Sequence, residues 1–162
     1  MNYFELFELP VAPRVDKSIL ARKYFELQKR YHPDFFSNAS EEDREEALQK
    51  SAAINKAFNI FQDEQKTIEY FLQEKKLINE EEKYNLPPDF LMEMMDINES
   101  LDEDEPAVTR TKVENYEKEL FSEIEPVLSA YNENNTTAMQ ERLKAYYYKK
   151  KYLRRILDRL PD

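Results

Sequence analysis

His32, Pro33 and Asp34 are the residues whose types and spacing most readily suggest chemistry. They follow a helical run, Lys17–Tyr31, and Pro33 disfavours helical backbone at the residue before it, so we expect the helix to end there. A histidine can act as a general base or bind a metal, but either use needs partner residues. The chain contains one histidine and no cysteine. We therefore expect no metal site, no cofactor and no catalysis, and interpret the three residues as a stiff, exposed loop tip.

A basic strip lies just before this loop on the same helix. It consists of four residues, Arg22, Lys23, Lys29 and Arg30. The first and third are seven residues apart, as are the second and fourth, which is two helical turns. All four therefore lie on neighbouring strips of one helix surface. This basic strip, next to the helix end and the rigid Pro33, argues against reading His32 as an ordinary surface histidine.

A second candidate site lies on a predicted helix over residues 88–101. One of its stripes has core spacing and consists of Phe90, Met94, Ile97 and Leu101. A different strip holds Leu91, Met92, Met95, Asp96 and Glu99. Periodicity leaves two interpretations of this second strip open. It is either the edge of a wide apolar core face or an exposed patch, in which methionines adapt to a partner and acidic neighbours add selectivity.

Three tyrosines followed by three lysines, residues 146–151, raise the question of nucleic-acid binding through stacking and phosphate contacts. Helical geometry spreads these six residues around the axis, so they do not form one platform. The net charge of −10 also disfavours long-range attraction to nucleic acid. We therefore favour core tyrosines with a solvated basic face, and expect no nucleic-acid partner.

Helices are expected to position these residues. The chain has no glycine, which the tight turns of β-hairpins commonly use, and 36% of its residues are charged. Helices are predicted over residues 17–31 and 41–61, a shorter one up to about 76, then over 88–101 and 107–132, with a turn at 134–136 and a last helix through Leu160. Asp16, Ser40 and Asp63 are the expected N-caps. The first two long helices should pair antiparallel, flanked by short helices, and the last three should form a bundle. The fold class is all-α.

The domain junction is placed at the acidic stretch that ends in Pro87 and Pro88. We expect a first domain at residues 1–78, a linker at 79–87 and a three-helix bundle at 88–162. Residues 1–10 lack the basic start of a signal peptide, and no stretch approaches the roughly 18 apolar residues of a membrane span. We therefore expect a cytoplasmic protein without a membrane partner.

Three pieces of the chain together resemble the HscB-type iron–sulfur cluster co-chaperones, a specialised J-protein family. The start of the chain is similar to that family's opening, Tyr3-Phe4-Glu5-Leu6-Phe7-Glu8-Leu9-Pro10. The J-domain pattern is matched by Tyr31-His32-Pro33-Asp34, followed by Ile54-Asn55-Lys56-Ala57-Phe58. The family's scaffold-binding helix is resembled by Phe90-Leu91-Met92-Glu93 through Leu101-Asp102-Glu103. The three pieces occur in order across nearly the whole chain.

The resemblance implies an N-terminal J-domain that docks on a DnaK/HscA-type ATPase chaperone. His32, Pro33 and Asp34 would help to trigger ATP hydrolysis by that partner, and the basic strip would supply electrostatic docking. The C-terminal bundle would bind an IscU-type scaffold protein. The residues implied for that contact are Leu91, Met92, Met95, Asp96, Glu99 and a tyrosine near Tyr146.

Two other functions remain open on the sequence. A general J-protein would deliver many unfolded clients, whereas the specialised form should prefer one folded scaffold. If the protein were a helical adaptor without a chaperone link, a substitution at His32 would leave the ATPase rate of every partner unchanged. Weak self-association also stays open.

Overall fold

The protein, described by a computed structural model over residues 1–131 and 136–161, is all-α in those ranges, with no strand. Its helices are α1 (Tyr3–Leu6), α2 (Lys17–Tyr31), α3 (Glu41–Phe61), α4 (Glu64–Glu74), α5 (Pro88–Glu103), α6 (Pro106–Ala130) and α7 (Thr137–Asp158), with a 3₁₀ turn at Pro33–Phe36. The chain separates into two compact units, Met1–Lys75 and Lys76–Asp162. The predicted all-α class is confirmed. The predicted turn at Asn134 and Asn135 lies outside the described residues.

Three helix starts are capped by the side chains that the sequence predicts. Asp16 accepts hydrogen bonds from two first-turn amides of α2, at 2.8 and 3.1 Å. Ser40 accepts one from α3 at 3.2 Å, and Asp63 accepts one from α4 at 2.9 Å. Each cap satisfies backbone N–H groups that have no partner inside the helix. The beginnings of α2, α3 and α4 are therefore set by local sequence.

The core of the first unit is an aromatic cluster that joins α1, α3 and α4. Phe4, Phe7 and Phe61 have no exposed surface. The ring of Phe61 lies 5.0 Å from Phe4, 5.8 Å from Phe7 and 5.9 Å from Tyr70, centroid to centroid. The Tyr70 hydroxyl accepts a 2.8 Å hydrogen bond from the backbone N–H of Tyr3, and burial raises its pKa to about 12. The short first helix is thus fastened to the rest of the unit.

Replacing Phe61 with Ala is expected to lower the free energy of unfolding by about 3–5 kcal/mol, because it opens a cavity among three aromatic rings. Chemical denaturation followed by circular dichroism measures the loss. Phe25→Ala is the matched control, since Phe25 is 62% exposed and its removal should change the same quantity by less than about 1 kcal/mol. Equal losses in the two variants would contradict the packing described here.

α2 and α3 form the hairpin that carries the first candidate site. The side-chain oxygen of Asn55 accepts hydrogen bonds from the Tyr24 hydroxyl and the Gln28 amide, each at 2.8 Å. The ring of Tyr24 stacks on Phe58 with a centroid distance of 3.9 Å. Leu20 and Leu27 are buried on the same side of α2. These contacts hold the end of α2, and the loop that follows it, at a defined place on α3.

The second unit is a three-helix bundle with one apolar core. Its most deeply buried side chains alternate three and four residues apart along each helix, as the sequence predicts. They include Phe90, Met94, Ile97, Val113, Leu120, Ile124, Leu143 and Leu153. At the joint of α5 and α6, the buried hydroxyls of Ser100 and Thr109 lie 2.8 Å apart, and Thr109 also donates to the Ser100 carbonyl at 2.9 Å. The start of α6 is therefore tied to the end of α5.

The segment before α5 is anchored on α7 through Glu82 and Tyr84. The carboxylate of Glu82 accepts a 2.7 Å hydrogen bond from the Tyr148 hydroxyl and lies 2.6 Å from the Lys144 ammonium. The Tyr84 ring stacks on Tyr148 at 4.4 Å. The hydrogen bond from Lys144, then that from Tyr148, lowers the pKa of Glu82, whereas burial, followed by the Glu82 contact, raises the pKa of Tyr148.

This anchor predicts a pH dependence of stability. The pKa of Glu82 in the folded protein lies below its ordinary value of 4.5. Its stabilising contribution is therefore complete above that ordinary value and is lost as the pH falls through the folded-state pKa. We expect the stability difference between the wild type and Glu82→Gln to shrink between about pH 6 and about pH 3 in denaturant titrations. A difference that stays constant over this range would contradict the ionic contact.

Candidate functional site

The first site is built where α2 ends. His32 closes α2 by donating its backbone N–H to the Gln28 carbonyl at 3.0 Å, and its φ and ψ of −62° and 131° are extended. The residue before a proline prefers this conformation. The chain then makes the 3₁₀ turn, in which the Phe35 N–H donates to the His32 carbonyl at 3.0 Å. The predicted loop tip is therefore one ordered turn.

The side chains of His32 and Asp34 are held together on the surface of this turn. The backbone N–H of Asp34 donates to Nδ1 of His32 at 3.2 Å, and a carboxylate oxygen of Asp34 lies 3.6 Å from that nitrogen. The two side chains are 46% and 86% exposed. The Phe35 ring, 68% exposed, meets the imidazole edge-on at 6.0 Å. The imidazole is thus oriented by contacts within the turn, while the carboxylate is exposed to solvent.

The basic strip is mostly exposed, and it includes an aromatic residue that the sequence analysis missed. Arg22, Lys29 and Arg30 are exposed, whereas Lys23 is half-buried with its ammonium 3.7 Å from Glu8. The Lys29 ammonium lies 4.6 Å from the centre of the Phe25 ring. Phe25 stands three residues after Arg22 and four before Lys29, and this spacing could have revealed it.

The second site is an exposed strip on α5, so the structure decides between the two interpretations left open by the sequence. Phe90, Met94 and Ile97 are buried in the bundle. Leu91, Met92 and Met95 are 42%, 70% and 63% exposed. Asp96 and Glu99 are exposed as well. These five exposed residues, Leu91, Met92, Met95, Asp96 and Glu99, are called the α5 strip below.

A groove between α5 and α6 lies beside the α5 strip. Its volume is about 420 Å³, and its lining is Glu93, Asp96, Ile97, Lys112, Asn115, Tyr116 and Glu119. The Lys112 ammonium lies 3.8 Å from Asp96 and 3.7 Å from Asp104. Burial, followed by a hydrogen bond with Glu93, raises the pKa of Tyr116 above its ordinary value. The α5 strip is thus flanked by mainly acidic polar surface.

Tyr146 is not part of this exposed surface, which corrects the contact that the resemblance implies for it and agrees with the core position favoured from helical geometry. Its side chain is 4% exposed and lines a cavity of about 120 Å³ between α6 and α7, which also contacts Leu120 and Ile124. The reason is its place on the inward stripe of α7, three residues after Leu143. A partner would contact it only after the bundle rearranged.

The tyrosine and lysine run is distributed around α7, as predicted. Tyr148 is buried like Tyr146. The Lys149 ammonium lies 5.6 Å from the centre of the Phe90 ring, and that of Lys150 lies 3.3 Å from the buried carboxylate of Glu117. The Lys151 ammonium lies 5.9 Å from the Tyr147 ring. The run serves the packing of the bundle and offers no continuous stacking platform.

Two further kinds of site were sought in the part of the chain that the structure describes. It contains no group of three or more His, Cys, Asp or Glu side chains placed to hold a metal ion. None of its helices combines the length and apolar character needed to cross a membrane.

The two units match two different protein families. Residues 2–70 match the DnaJ domain, and residues 86–160 match the HSCB C-terminal oligomerisation domain. The solved structure of chaperone HscB from Vibrio cholerae is 32% identical, with a TM-score of 0.57, and the match covers 98% of both chains. The chain belongs to the HscB family. The resemblance drawn from the three sequence pieces is confirmed at this level.

Other HscB-family proteins extend the comparison. The crystal structure of human co-chaperone protein HscB has a TM-score of 0.75 and 26% identity, and the match covers 98% of this chain and 79% of that one. The co-chaperone protein HscB homologs of Vibrio cholerae O395 and Photobacterium profundum are 44% and 42% identical over 103 and 104 residues. Those alignments cover 63% and 64% of this chain, but only 60% and 61% of the relatives' lengths.

Proposed function

We propose that this HscB-family protein is a co-chaperone of iron–sulfur cluster biogenesis that joins two partners. Its first unit would stimulate ATP hydrolysis by a DnaK/HscA-type chaperone, and its bundle would deliver an IscU-type scaffold protein to that chaperone. The observation that carries the proposal is the placement of two exposed surfaces, the His32–Asp34 turn and the α5 strip, on different compact units of an HscB-family chain.

The chaperone-facing surface combines positive charge with an oriented turn. Arg22, Lys23, Lys29 and Arg30 would steer an acidic face of the chaperone, with Phe25 as an apolar anchor among them. Electrostatic steering of this kind raises the association rate more than the affinity. His32, Pro33 and Asp34 would then contact the chaperone with an imidazole that is already oriented by the 3.2 Å hydrogen bond. Preorganisation lowers the entropy lost on docking.

The scaffold-facing surface is the α5 strip. Leu91, Met92 and Met95 supply adaptable apolar area, and Asp96 and Glu99 supply charge beside it. A small apolar centre with a polar rim is the usual composition of a specific protein–protein interface. Because α5 is rigid within the bundle, the strip presents a fixed shape to a folded partner. This arrangement suits one folded scaffold better than many unfolded chains.

An adaptor with these two surfaces acts without making any covalent change itself. It raises the effective concentration of the scaffold at the chaperone, and it biases the chaperone's nucleotide cycle through differential binding. We assign the chaperone-facing role to residues 1–78 and the scaffold-facing role to residues 88–162, with 79–87 as the connection. We place the protein in the cytoplasm.

The proposal is tested by calorimetric titration of the purified protein with an IscU-type scaffold, combined with ATPase assays of a DnaK-type chaperone. Saturable scaffold binding and a raised ATPase rate are the expected results. If the ATPase rate rose but the scaffold did not bind, the client would instead be assigned as unfolded chains, as for a general J-protein. If the scaffold bound but the ATPase rate did not rise, the protein would be a helical adaptor that does not act on a chaperone.

A further inference from the structure

The α5 strip contains two methionines whose exposure is unusual for this residue type. Met92 is 70% exposed and Met95 is 63% exposed, whereas Met94 between them is fully buried. The two exposed residues stand three apart on one face of α5, so their thioethers belong to the same surface. Oxidation of methionine depends strongly on access of the oxidant to sulfur. The chain therefore places accessible and protected sulfur atoms side by side on one helix.

We propose that Met92 and Met95 form a reversible oxidation site that switches off scaffold binding by the α5 strip. The inference rests on the proposed scaffold-binding function and adds a regulatory chemistry to it. The oxidant is a hydroperoxide, with hydrogen peroxide as the simplest member. A sulfur lone pair attacks one peroxide oxygen, an S–O bond forms and the O–O bond breaks. The sulfur loses two electrons, and the proton of the transferred oxygen passes to the departing oxygen, which leaves as water from hydrogen peroxide or as an alcohol from an alkyl hydroperoxide.

The switch follows from what a sulfoxide does to this surface. Oxidation turns a flexible apolar side chain into a polar and chiral one. Leu91, Met92 and Met95 supply the apolar surface of the α5 strip, so oxidation of both methionines alters two of its three apolar side chains. Burying an apolar side chain of this size contributes enough to change a dissociation constant by roughly tenfold or more. We therefore expect oxidation of both residues to weaken scaffold binding by at least about thirtyfold.

Because Met92 and Met95 lie at the surface, their oxidation should affect binding without affecting the stability of the bundle. Met94 contributes to the bundle core and is shielded, so its sulfur should react only when the bundle opens. Met92 and Met95 contribute little buried area in the free protein. Their oxidation should therefore leave the bundle folded, and the change should appear in binding rather than in unfolding.

The test begins with brief treatment of the full chain with hydrogen peroxide, followed by peptide mass mapping. Met92 and Met95 should gain one oxygen each, while Met94 stays unmodified; Met1, 88% exposed, reports that the oxidant acted. Circular dichroism should be unchanged. Calorimetric titration with the IscU-type scaffold, before and after treatment, should show the loss of affinity. Treatment with the two methionine sulfoxide reductases, one for each epimer, and a dithiol that is oxidised to a disulfide while the sulfoxide oxygen leaves as water, should restore it.

Two variants sharpen the interpretation. In Met92→Leu/Met95→Leu, the ratio of affinities before and after peroxide should stay close to one, whatever the starting affinity. In Met139→Leu, which removes a half-buried methionine of α7, peroxide should weaken binding as it does in the wild type. Unchanged affinity after complete conversion of Met92 and Met95 would overturn the switch while leaving the proposed function intact. Absence of scaffold binding by the untreated protein would overturn both.

Discussion

Replacing His32 with Gln is expected to reduce the stimulation of a DnaK-type ATPase to the basal rate of the chaperone, while scaffold binding is retained. The imidazole is held by the 3.2 Å hydrogen bond from the Asp34 N–H and by the edge of the Phe35 ring. A glutamine side chain has one additional rotatable bond and no ring to pack against Phe35. It would therefore lose orientation and raise the entropy lost on docking.

The measurement is the steady-state ATPase rate of the chaperone over a range of co-chaperone concentrations, together with calorimetric titration of the scaffold. Asn38→Gln is the matched control, because it introduces the same side chain at an exposed position of the same loop. It should leave stimulation unchanged. A His32→Gln protein that is correctly folded but has lost scaffold binding would contradict the assignment of the two surfaces to different units.

Truncating the apolar part of the α5 strip is expected to abolish measurable scaffold binding. The variant Leu91→Ala/Met92→Ala/Met95→Ala removes three exposed side chains but leaves the buried Phe90, Met94 and Ile97 in place. Centrally placed apolar anchors contribute most of the energy of such interfaces, so a weakening of roughly a hundredfold or more is expected. Bundle stability should change little, because alanine is a good helix former and the removed atoms were mostly exposed.

Calorimetric titration of the variant with the scaffold measures this effect, and denaturation curves test its folding. Val108→Ala is the control, since Val108 is an apolar residue of α6 that is 45% exposed and lies outside the strip. It should bind like the wild type. If the triple variant kept its affinity while remaining folded, the client surface would have to lie elsewhere on the bundle.

Much of this architecture could be predicted from local sequence. The starts of α2, α3 and α4 follow from the capping side chains of Asp16, Ser40 and Asp63, because a cap bonds to amides only two or three residues away. The end of α2 follows from Pro33, whose effect on the preceding residue is steric and local. Periodicity also separated the buried Phe90, Met94 and Ile97 from the α5 strip.

Two features were decided only by tertiary structure. The α5 strip could have been the edge of a wider core, and its exposure depends on how much of α5 the helices α6 and α7 cover. For Tyr146, helical geometry favoured a core position whereas the resemblance implied a scaffold contact, and the side chain is buried because α7 turns that stripe inward. Phe25, exposed in the basic strip, was not singled out, although its spacing from Arg22 and Lys29 is visible in the sequence. Periodicity relates residues on one helix to each other, but only the neighbouring helices determine which face they cover.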